Sequence, residues 1–415
     1  MNPQPLSTEN ATGLKFILRA LHYKNYRLFF FGQGVSLTGS WIQMIAMGWL
    51  VYRMTNSAFL LGAVAFMSQI PVFIFSPFAG VLADRLNRKS ILIITQALAM
   101  IEAFTLAVLV FLGIVQVWHI IVLSIFIGMV NAFDAPVRQV FVSDMVDNRK
   151  DLANAIALNS FLFNGARLVG SSLAGIIIAV AGEGTCFFIN GVSFLAVIWA
   201  LVAMKTNQVK LKSKKHILYD LKDGLVYAFN FLPIRHILLL VSLISVMGMS
   251  YVVLMPIFAK DILRGGPDTL ALLMGSTGLG ALAGAVFLAS RKTAEGLEKI
   301  IPIAASIFGF GLIVFSFSGV LWLSVVSMLA VGFGMMIQIA SSNTLLQHLS
   351  HDDKRGRVIS LYVIAFLGMA PFGSLLAGTL AANIGAPSAL LISGFSCIIG
   401  SFIFKNRFPS IRIKL

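Results

Sequence analysis

Residues 80–89 read GVLADRLNRK and separate two long runs of apolar residues. A helix needs about 20 predominantly apolar residues to cross the hydrocarbon of a bilayer, and each run is of that length. The loop between them carries four charged side chains, which stay out of hydrocarbon. A short charged loop between two such runs is typical of a protein that crosses a membrane several times.

The composition of the whole chain points the same way. Of 415 residues, 58% are apolar and 11% are charged, and the mean hydropathy is +0.91. Soluble domains have about 45–50% apolar and about 25% charged residues. The composition therefore excludes a soluble, disordered or nucleic-acid-binding protein. We predict an all-α integral membrane protein.

The apolar runs predict twelve transmembrane helices. We expect them near 28–51, 59–82, 91–112, 118–141, 152–181, 187–204, 237–258, 270–288, 300–317, 321–345, 358–382 and 389–404. Of the 31 Lys and Arg residues, only Arg53, Lys260 and Arg264 lie in loops on one side; two others lie within spans. Because cation-rich loops remain in the cytoplasm, we expect both termini to be cytoplasmic.

These spans divide the chain into five parts. They are a tail with an amphipathic surface helix (1–27), a six-helix bundle (28–204), a basic connector (205–235), a second six-helix bundle (236–404) and a tail (405–415). The connector is either a solvated face beside the membrane or a docking site for anionic membrane lipids.

The two bundles show an internal repeat. A shift of 203 residues aligns GSSLAG at 170–175 with GSLLAG at 373–378. Each half has six spans, so the repeats are parallel and related by an axis along the membrane normal. The cavity between two such halves is the expected substrate site.

The loop at 80–89 resembles the signature loop of the major facilitator superfamily, Gly-x-Leu-Ala-Asp-Arg-x-Gly-Arg-Arg/Lys, with Asn87 in place of a glycine. Segments such as FDAPVRQ at 133–139 and LANAIALNS at 152–160 resemble the branch of the enterobactin exporter and macrolide efflux proteins. The resemblance implies a bacterial inner-membrane transporter with the major facilitator fold. Departures are Leu288 in place of the acid in the second-half loop, Ser171 in place of a common proline and Ser124 in place of a common basic residue.

The resemblance also implies a cytoplasmic gate. Its expected members are Gly80, Asp84, Arg85, Arg88, Lys89, Asp134, Arg138 and Asp144. A carboxylate accepts bonds from a helix N-terminus, and arginines bind carboxylates bidentately, so this set can hold helix ends together. Asp134 and Arg138 are spaced i, i+4 and can pair on one helix face. Three roles remain open for that pair: a cytoplasmic latch together with Asp84, direct coupling, and simple anchoring of the helix end.

Replacement of Asp84 by asparagine tests the gate. We expect Asp84→Asn to weaken cytoplasmic closure and to slow transport while expression stays near normal, because the amide loses the charge that a helix N-terminus attracts. Transport assays at matched membrane levels check this, and normal transport would remove Asp84 from the gate.

Glu102 and Arg167 lie in the middle of the third and fifth spans. Neither has an opposite charge three or four residues away on its own helix, so partners must come from other spans, and the two can be partners of each other. A carboxylate beside an arginine can exchange a proton as the pair separates, which makes them candidates for coupling. A fixed structural ion pair is the alternative.

Other residues in the spans are candidates for the cavity and for helix contacts. The candidate cavity residues, which can also form interhelical hydrogen bonds, are Ser40, Gln43, Asn159, Asn164, Gln338 and Asn343. The small residues expected where helices approach closely are Gly165, Gly170, Gly175, Gly373 and Gly378. With 34 Phe and 17 Met the walls are apolar, which favours an amphipathic cargo.

Rival classes lack their sequence signatures. The chain has no His-Glu-x-x-His pair, no Gly-x-Ser-x-Gly elbow and no Gly-Lys dipeptide, so we expect no enzyme, metal, cofactor or ATP motor. We predict a monomeric secondary transporter that exports an amphipathic small molecule, siderophore-like or drug-like, in exchange for protons. A lipid or lysophospholipid translocase on the same fold is the alternative.

Overall fold

The computed structural model describes residues 18–146, 148–204, 226–291, 295–351 and 354–408, without the side chains of 77–85, 149, 150 and 153. In these ranges the chain forms helices and no strand. The first half contains α1 (Lys24–Thr55), α2 (Ala58–Arg85), α3 (Arg88–Phe111), α4 (Val117–Phe141) and α5 (Arg149–Ala203). The second half contains α6 (Leu232–Leu243), α7 (Tyr251–Ile257), α8 (Pro267–Ala289), α9 (Leu297–Phe317), α10 (Leu321–Leu349), α11 (Arg355–Val363), α12 (Ala370–Ile384) and α13 (Ala386–Arg407).

Eleven helical segments of the described residues are long and apolar enough to cross a membrane. Two of them, Leu232–Ile262 and Arg355–Ile384, each combine shorter helices across π-helical turns. The chain is therefore a multi-pass, all-helical membrane protein.

The long helix α5 accounts for the difference from the twelve expected spans. Its apolar part, Asn154–Ala203, has 50 residues, or about 75 Å at about 1.5 Å per residue, more than twice the hydrocarbon thickness of a bilayer. Gly182 interrupts it with φ 79° and ψ 172°. Contacts with α1 show that the chain reverses there.

The reversal is visible along α1 from one end to the other. Near the start of α1, the hydroxyl of Tyr26 donates to the carbonyl of Ala155 at 2.8 Å. Near its end, Arg53 pairs with Glu183 at 2.7 Å. Later residues of α5 lie near the start of α1 again, because a Cβ placed at Gly32 would lie 2.9 Å from the carbonyl oxygen of Ala196. Residues 154–181 and 183–203 thus form two antiparallel limbs, called here the first and second limbs of α5.

Several expected boundaries differ from the structure. The first helix begins at Lys24, inside the stretch expected as tail and surface helix, and a 3₁₀ turn at Arg19–His22 precedes it. Residues 1–17 of that stretch lie outside the described residues. Helix α6 begins at Leu232, inside the expected connector, and residues 205–225 of that connector are likewise not described. Hydropathy marks where a helix enters hydrocarbon, whereas polar helical turns continue into the interface.

Helix α5 also lies against the 3₁₀ turn. Asp151 accepts from Arg19 and from the hydroxyl of Tyr23, both at 2.9 Å. These bonds hold the entry to α1 against the beginning of α5.

Candidate functional site

The charged loop ends of the first half form one cluster, at what is called here the Asp144 end of the bundle. Both carboxylate oxygens of Asp144 accept from Arg88 at 2.9 Å. The ammonium of Lys89 donates to the carbonyl oxygens of Val202 and Met204 at 3.2 and 2.7 Å. These bonds join α3 to the 3₁₀ turn after α4 and to the end of α5, all within the first half.

Asn87 directly precedes this cluster, and its capping contact accounts for an asparagine at this position. Its side chain caps α3 by accepting from the backbone N–H of Ser90 at 3.1 Å. Asparagine is a favoured N-cap residue, so this departure from the glycine of the signature loop gains a helix cap. The side chains of Asp84 and Arg85 and the contacts of Gly80 lie outside the described part of the structure, and the gate role of these three residues stays a prediction.

Asp134 is buried beside the same end, on the Pro-containing helix α4. It pairs with Arg138 at 3.2 Å and accepts from Thr95 at 2.9 Å and Gln96 at 2.7 Å. The i, i+4 pair expected from the spacing is present, and α3 supplies two further donors. The arrangement fixes α4 against α3.

Deeper in the first half, Glu102 lies at the centre of a buried polar network. Its side chain on α3 is 1% exposed, and its Oε2 accepts from Gln43 of α1 at 2.9 Å. The Oε1 of Gln43 in turn accepts from Asn190 on the second limb of α5 at 2.7 Å. Within the described residues, Oε1 of Glu102 has no hydrogen-bond partner.

Arg167 lies elsewhere, on the first limb of α5 where the two halves meet. Its guanidinium donates to the hydroxyl of Tyr251 on α7 at 3.3 Å. The guanidinium carbon also lies 5.5 Å from the ring centroid of Trp41 on α1. A cation over a tryptophan face is attracted by the ring quadrupole.

Glu102 and Arg167 are therefore not partners of each other. Glu102 contacts Gln43, whereas Arg167 contacts Trp41, two residues earlier on α1. Two residues correspond to about 200° of rotation around a helix, so the two charges lie on opposite faces of α1. Sequence spacing on one helix could not reveal this, because each partner is supplied by a different helix.

The other candidate cavity residues do not converge on one site. Ser40 and Asn164 bond backbone carbonyls of their own helices, and Asn159 accepts from Tyr26. Gln338 is fully buried and donates to Ser342, and Asn343 accepts from Gln347. Of the set, Gln43 alone contacts a charged residue in the bonds described.

The halves meet through polar contacts at the opposite end, called here the Asn56 end. Tyr52 of α1 donates to the carboxylate of Asp261. Lys260 donates to Asn56 at 2.7 Å, and its ammonium lies 5.3 Å from the Tyr52 ring centroid. Lys260 and Asp261 belong to the π-helical turn Phe258–Ile262 that follows α7. We call these bonds the Tyr52–Asp261 lock; sequence reasoning missed it because its members are interfacial residues far apart in the chain.

Close backbone contacts accompany the lock at the Asn56 end. A Cβ placed at Gly378 would lie 2.7 Å from the carbonyl oxygen of Ala58. One placed at Gly175 would lie 2.5 Å from the carbonyl oxygen of Pro267. Gly170 and Gly373 also lie against backbone, at Thr38 and Val246, whereas a Cβ at Gly165 would meet nothing within 4 Å.

The chain is thus a multi-pass helical bundle with two halves, charged side chains buried between its helices and a polar lock between the halves, features that are typical of membrane transporters. Residues 18–412 match the family described as transmembrane secretion effector. The chain belongs to this family of the major facilitator superfamily, whose members are transporters and not enzymes.

Curated relatives span nearly the whole chain. It is 24% identical over 392 residues to the staphyloferrin A transporter of Staphylococcus aureus, covering 94% of this chain and 98% of the relative. It is 24% identical over 390 residues to macrolide efflux protein A of Streptococcus pyogenes, covering 90% and 94%. The crystal structure of the nucleoside transporter NupG has the same fold, with a TM-score of 0.72 at 12% identity, covering 93% of this chain and all of that one.

Proposed function

We propose that this chain is a twelve-helix, alternating-access exporter of the bacterial inner membrane, in which both termini are cytoplasmic. It moves an amphipathic small molecule, siderophore-like or drug-like, outward in exchange for protons. In this arrangement the Asp144 end is cytoplasmic and the Asn56 end faces outward. The two limbs of α5 count as two crossings, which gives six crossings in each half.

The observation that carries the proposal is the buried carboxyl of Glu102. An ionised carboxylate at this depth is costly, and its described partner, Gln43, is an uncharged amide. A carboxyl in such surroundings changes its charge readily when the network opens to water, which is the property that a proton-coupling group needs. The network joins α1, α3 and α5, so protonation can alter the packing of three helices.

The contacts between the halves support alternating access. The Tyr52–Asp261 lock and the glycine contacts at Gly378 and Gly175 close the Asn56 end. The described bonds of Arg88, Asp134 and Asp144 at the Asp144 end lie within the first half. The contacts between the halves thus correspond to a state whose outward end is closed.

Lipid translocation is the second candidate, and an apolar groove favours it. The groove has about 700 Å³ and lies on the surface between α1 and both limbs of α5. Its walls include Phe31, Val35, Phe161 and Val169, and its lining is mostly apolar. The apolar lining and the volume of this groove suit an acyl chain.

Comparison of efflux from cells with and without the gene tests the proposal. Metabolites and dyes are measured in cells and medium with the proton gradient intact and then collapsed by a protonophore. We expect a soluble amphipathic molecule, such as an iron chelator, to accumulate in the deletion strain and, after collapse of the gradient, in the parent strain as well. If no soluble cargo depends on the gene but lipid distribution between leaflets does, the lipid translocase is the correct function.

A further inference from the structure

The guanidinium of Arg167 carries a charge that nothing described around it neutralises. Arg167 is 8% exposed, and its described contacts are the Tyr251 hydroxyl and the Trp41 ring. Its Nε has no hydrogen-bond partner in the part of the chain that the structure describes. A buried cation without a carboxylate is expensive, and such groups in membranes are usually paired or functional.

The described carboxylates of the first half and of the lock have other partners. Glu102 accepts from Gln43, Asp134 pairs with Arg138, Asp144 with Arg88, Asp151 with Arg19 and Glu183 with Arg53, and Asp261 accepts from Tyr52. None of these bonds involves Arg167. Among the residues that the structure describes, Arg167 therefore has no carboxylate partner.

The surroundings of Arg167 have the form of a binding site. Tyr251 belongs to the second half and follows the π-helical turn Ile244–Gly248, so the helix that supplies it is interrupted. Substrate sites of two-repeat transporters lie at the interface between the halves, on interrupted helices. Trp41 packs edge-to-face on Phe163, and Tyr251 packs edge-to-face on Phe308, which adds apolar aromatic walls.

From these contacts we propose that Arg167 binds a carboxylate of the transported molecule, which makes the cargo an amphipathic organic anion. Arginine offers five N–H donors in a planar fork that suits a carboxylate, and the bonds described here use few of them. Trp41 and Tyr251 contact the apolar body of the cargo. This inference rests on the proposed export function and gives Arg167 a role in binding, while Glu102, on the opposite face of α1, has the separate role of coupling.

The test compares export by four full-length proteins at equal membrane levels in cells that lack the native gene. They are the wild type, Arg167→Gln, Tyr251→Phe and the control Arg407→Gln, whose side chain is exposed in the last turn of α13. For each metabolite, the ratio of its concentration in the medium to that in the cells is compared between cells with the wild-type protein and cells without it. Every metabolite for which this ratio differs is assigned a net charge at neutral pH. Purified proteins in nanodiscs are also titrated with 2-naphthoate and with its uncharged analogue 2-naphthamide.

We expect the exported metabolites to be carboxylates. Their export falls about tenfold or more in Arg167→Gln, because charge-assisted bonds in a buried site are lost, and it is unchanged in Arg407→Gln. The wild type binds 2-naphthoate more tightly than 2-naphthamide, and Arg167→Gln binds both equally. Where Arg167→Gln fails to fold, Tyr251→Phe serves in its place, with a severalfold loss for the carboxylates.

Three results would overturn the inference. Export of neutral or cationic metabolites that is equal in wild type and Arg167→Gln leaves the proposed export function standing and removes the anion site. Equal export of carboxylates by wild type and Arg167→Gln has the same consequence. If no metabolite depends on the wild type at all, the proposed export function fails and the anion site fails with it.

Discussion

Replacement of Glu102 by glutamine is expected to abolish accumulation of cargo against its gradient while leaving passive exchange intact. The amide has nearly the shape of the carboxyl and can still bond Gln43, so the network of α1, α3 and α5 remains. What it lacks is a proton that can ionise at physiological pH. Glu102→Gln thus separates the transport path from the source of its energy.

The size of this effect follows from the driving force. A difference of one pH unit supplies about 1.4 kcal/mol for each proton, which supports about a tenfold concentration ratio of a neutral or charge-balanced cargo. In proteoliposomes containing the cargo found in the efflux comparison, wild type is expected to reach about this ratio. Glu102→Gln is expected to reach a ratio of about one at the same pH difference.

Glu295→Gln is the matched control, because its side chain is exposed at a loop and it makes the same chemical change. It should accumulate cargo like the wild type. Counterflow, in which labelled cargo exchanges for unlabelled cargo without a proton gradient, should continue in both variants. If transport by Glu102→Gln keeps the pH dependence of the wild type, Glu102 is not the coupling group.

Apolar length made most of the fold predictable from sequence, because about 20 apolar residues leave the chain few alternatives in a bilayer. It could not place the ends of helices, as Lys24 and Leu232 show, since polar turns at the interface are helical without being hydrophobic. The length of apolar runs could not predict the π-helical turn at Ile244–Gly248 either. Its residues are as apolar as those of an unbroken helix.

For the site, sequence identified the charged residues but not the contacts between them. Glu102 and Arg167 were recognisable because charges are rare at mid-span. Two residues around them were not: Asn190, which donates to Gln43 in the Glu102 network, and Tyr251, which accepts from Arg167. An amide and a phenol within apolar runs are themselves signals of interhelical bonds. Which helix faces supply the partners depends on packing, and a single sequence does not contain that information in readable form.

Replacement of Gly378 by leucine is expected to hold the Asn56 end open. In the closed state, a Cβ at this position would lie 2.7 Å from the carbonyl oxygen of Ala58 and 2.8 Å from the Cα of Gly62. Both are backbone atoms, so no side chain can rotate away. Helices α2 and α12 must separate, and with them the halves that the Tyr52–Asp261 lock joins.

Overpacking of a close contact costs about 1–3 kcal/mol, which shifts a two-state equilibrium by about fivefold to about 150-fold. Spin labels on cysteines at Leu112 and Val320, which are exposed at the Asn56 end of the first and second halves, report the separation. The native Cys186 and Cys397 are buried and should label poorly. We expect a longer distance in Gly378→Leu and a loss of transport of about tenfold or more.

Gly356→Leu is the control for leucine in a helix, because a Cβ at that position would meet no atom within 4 Å. Its label distances and transport should equal those of the wild type. Such a result would mean that closure at the Asn56 end depends on backbone contact between α2 and α12. The Tyr52–Asp261 lock would then form only while these two helices are in contact. An unchanged distance in Gly378→Leu would mean instead that the halves do not separate along this contact during transport.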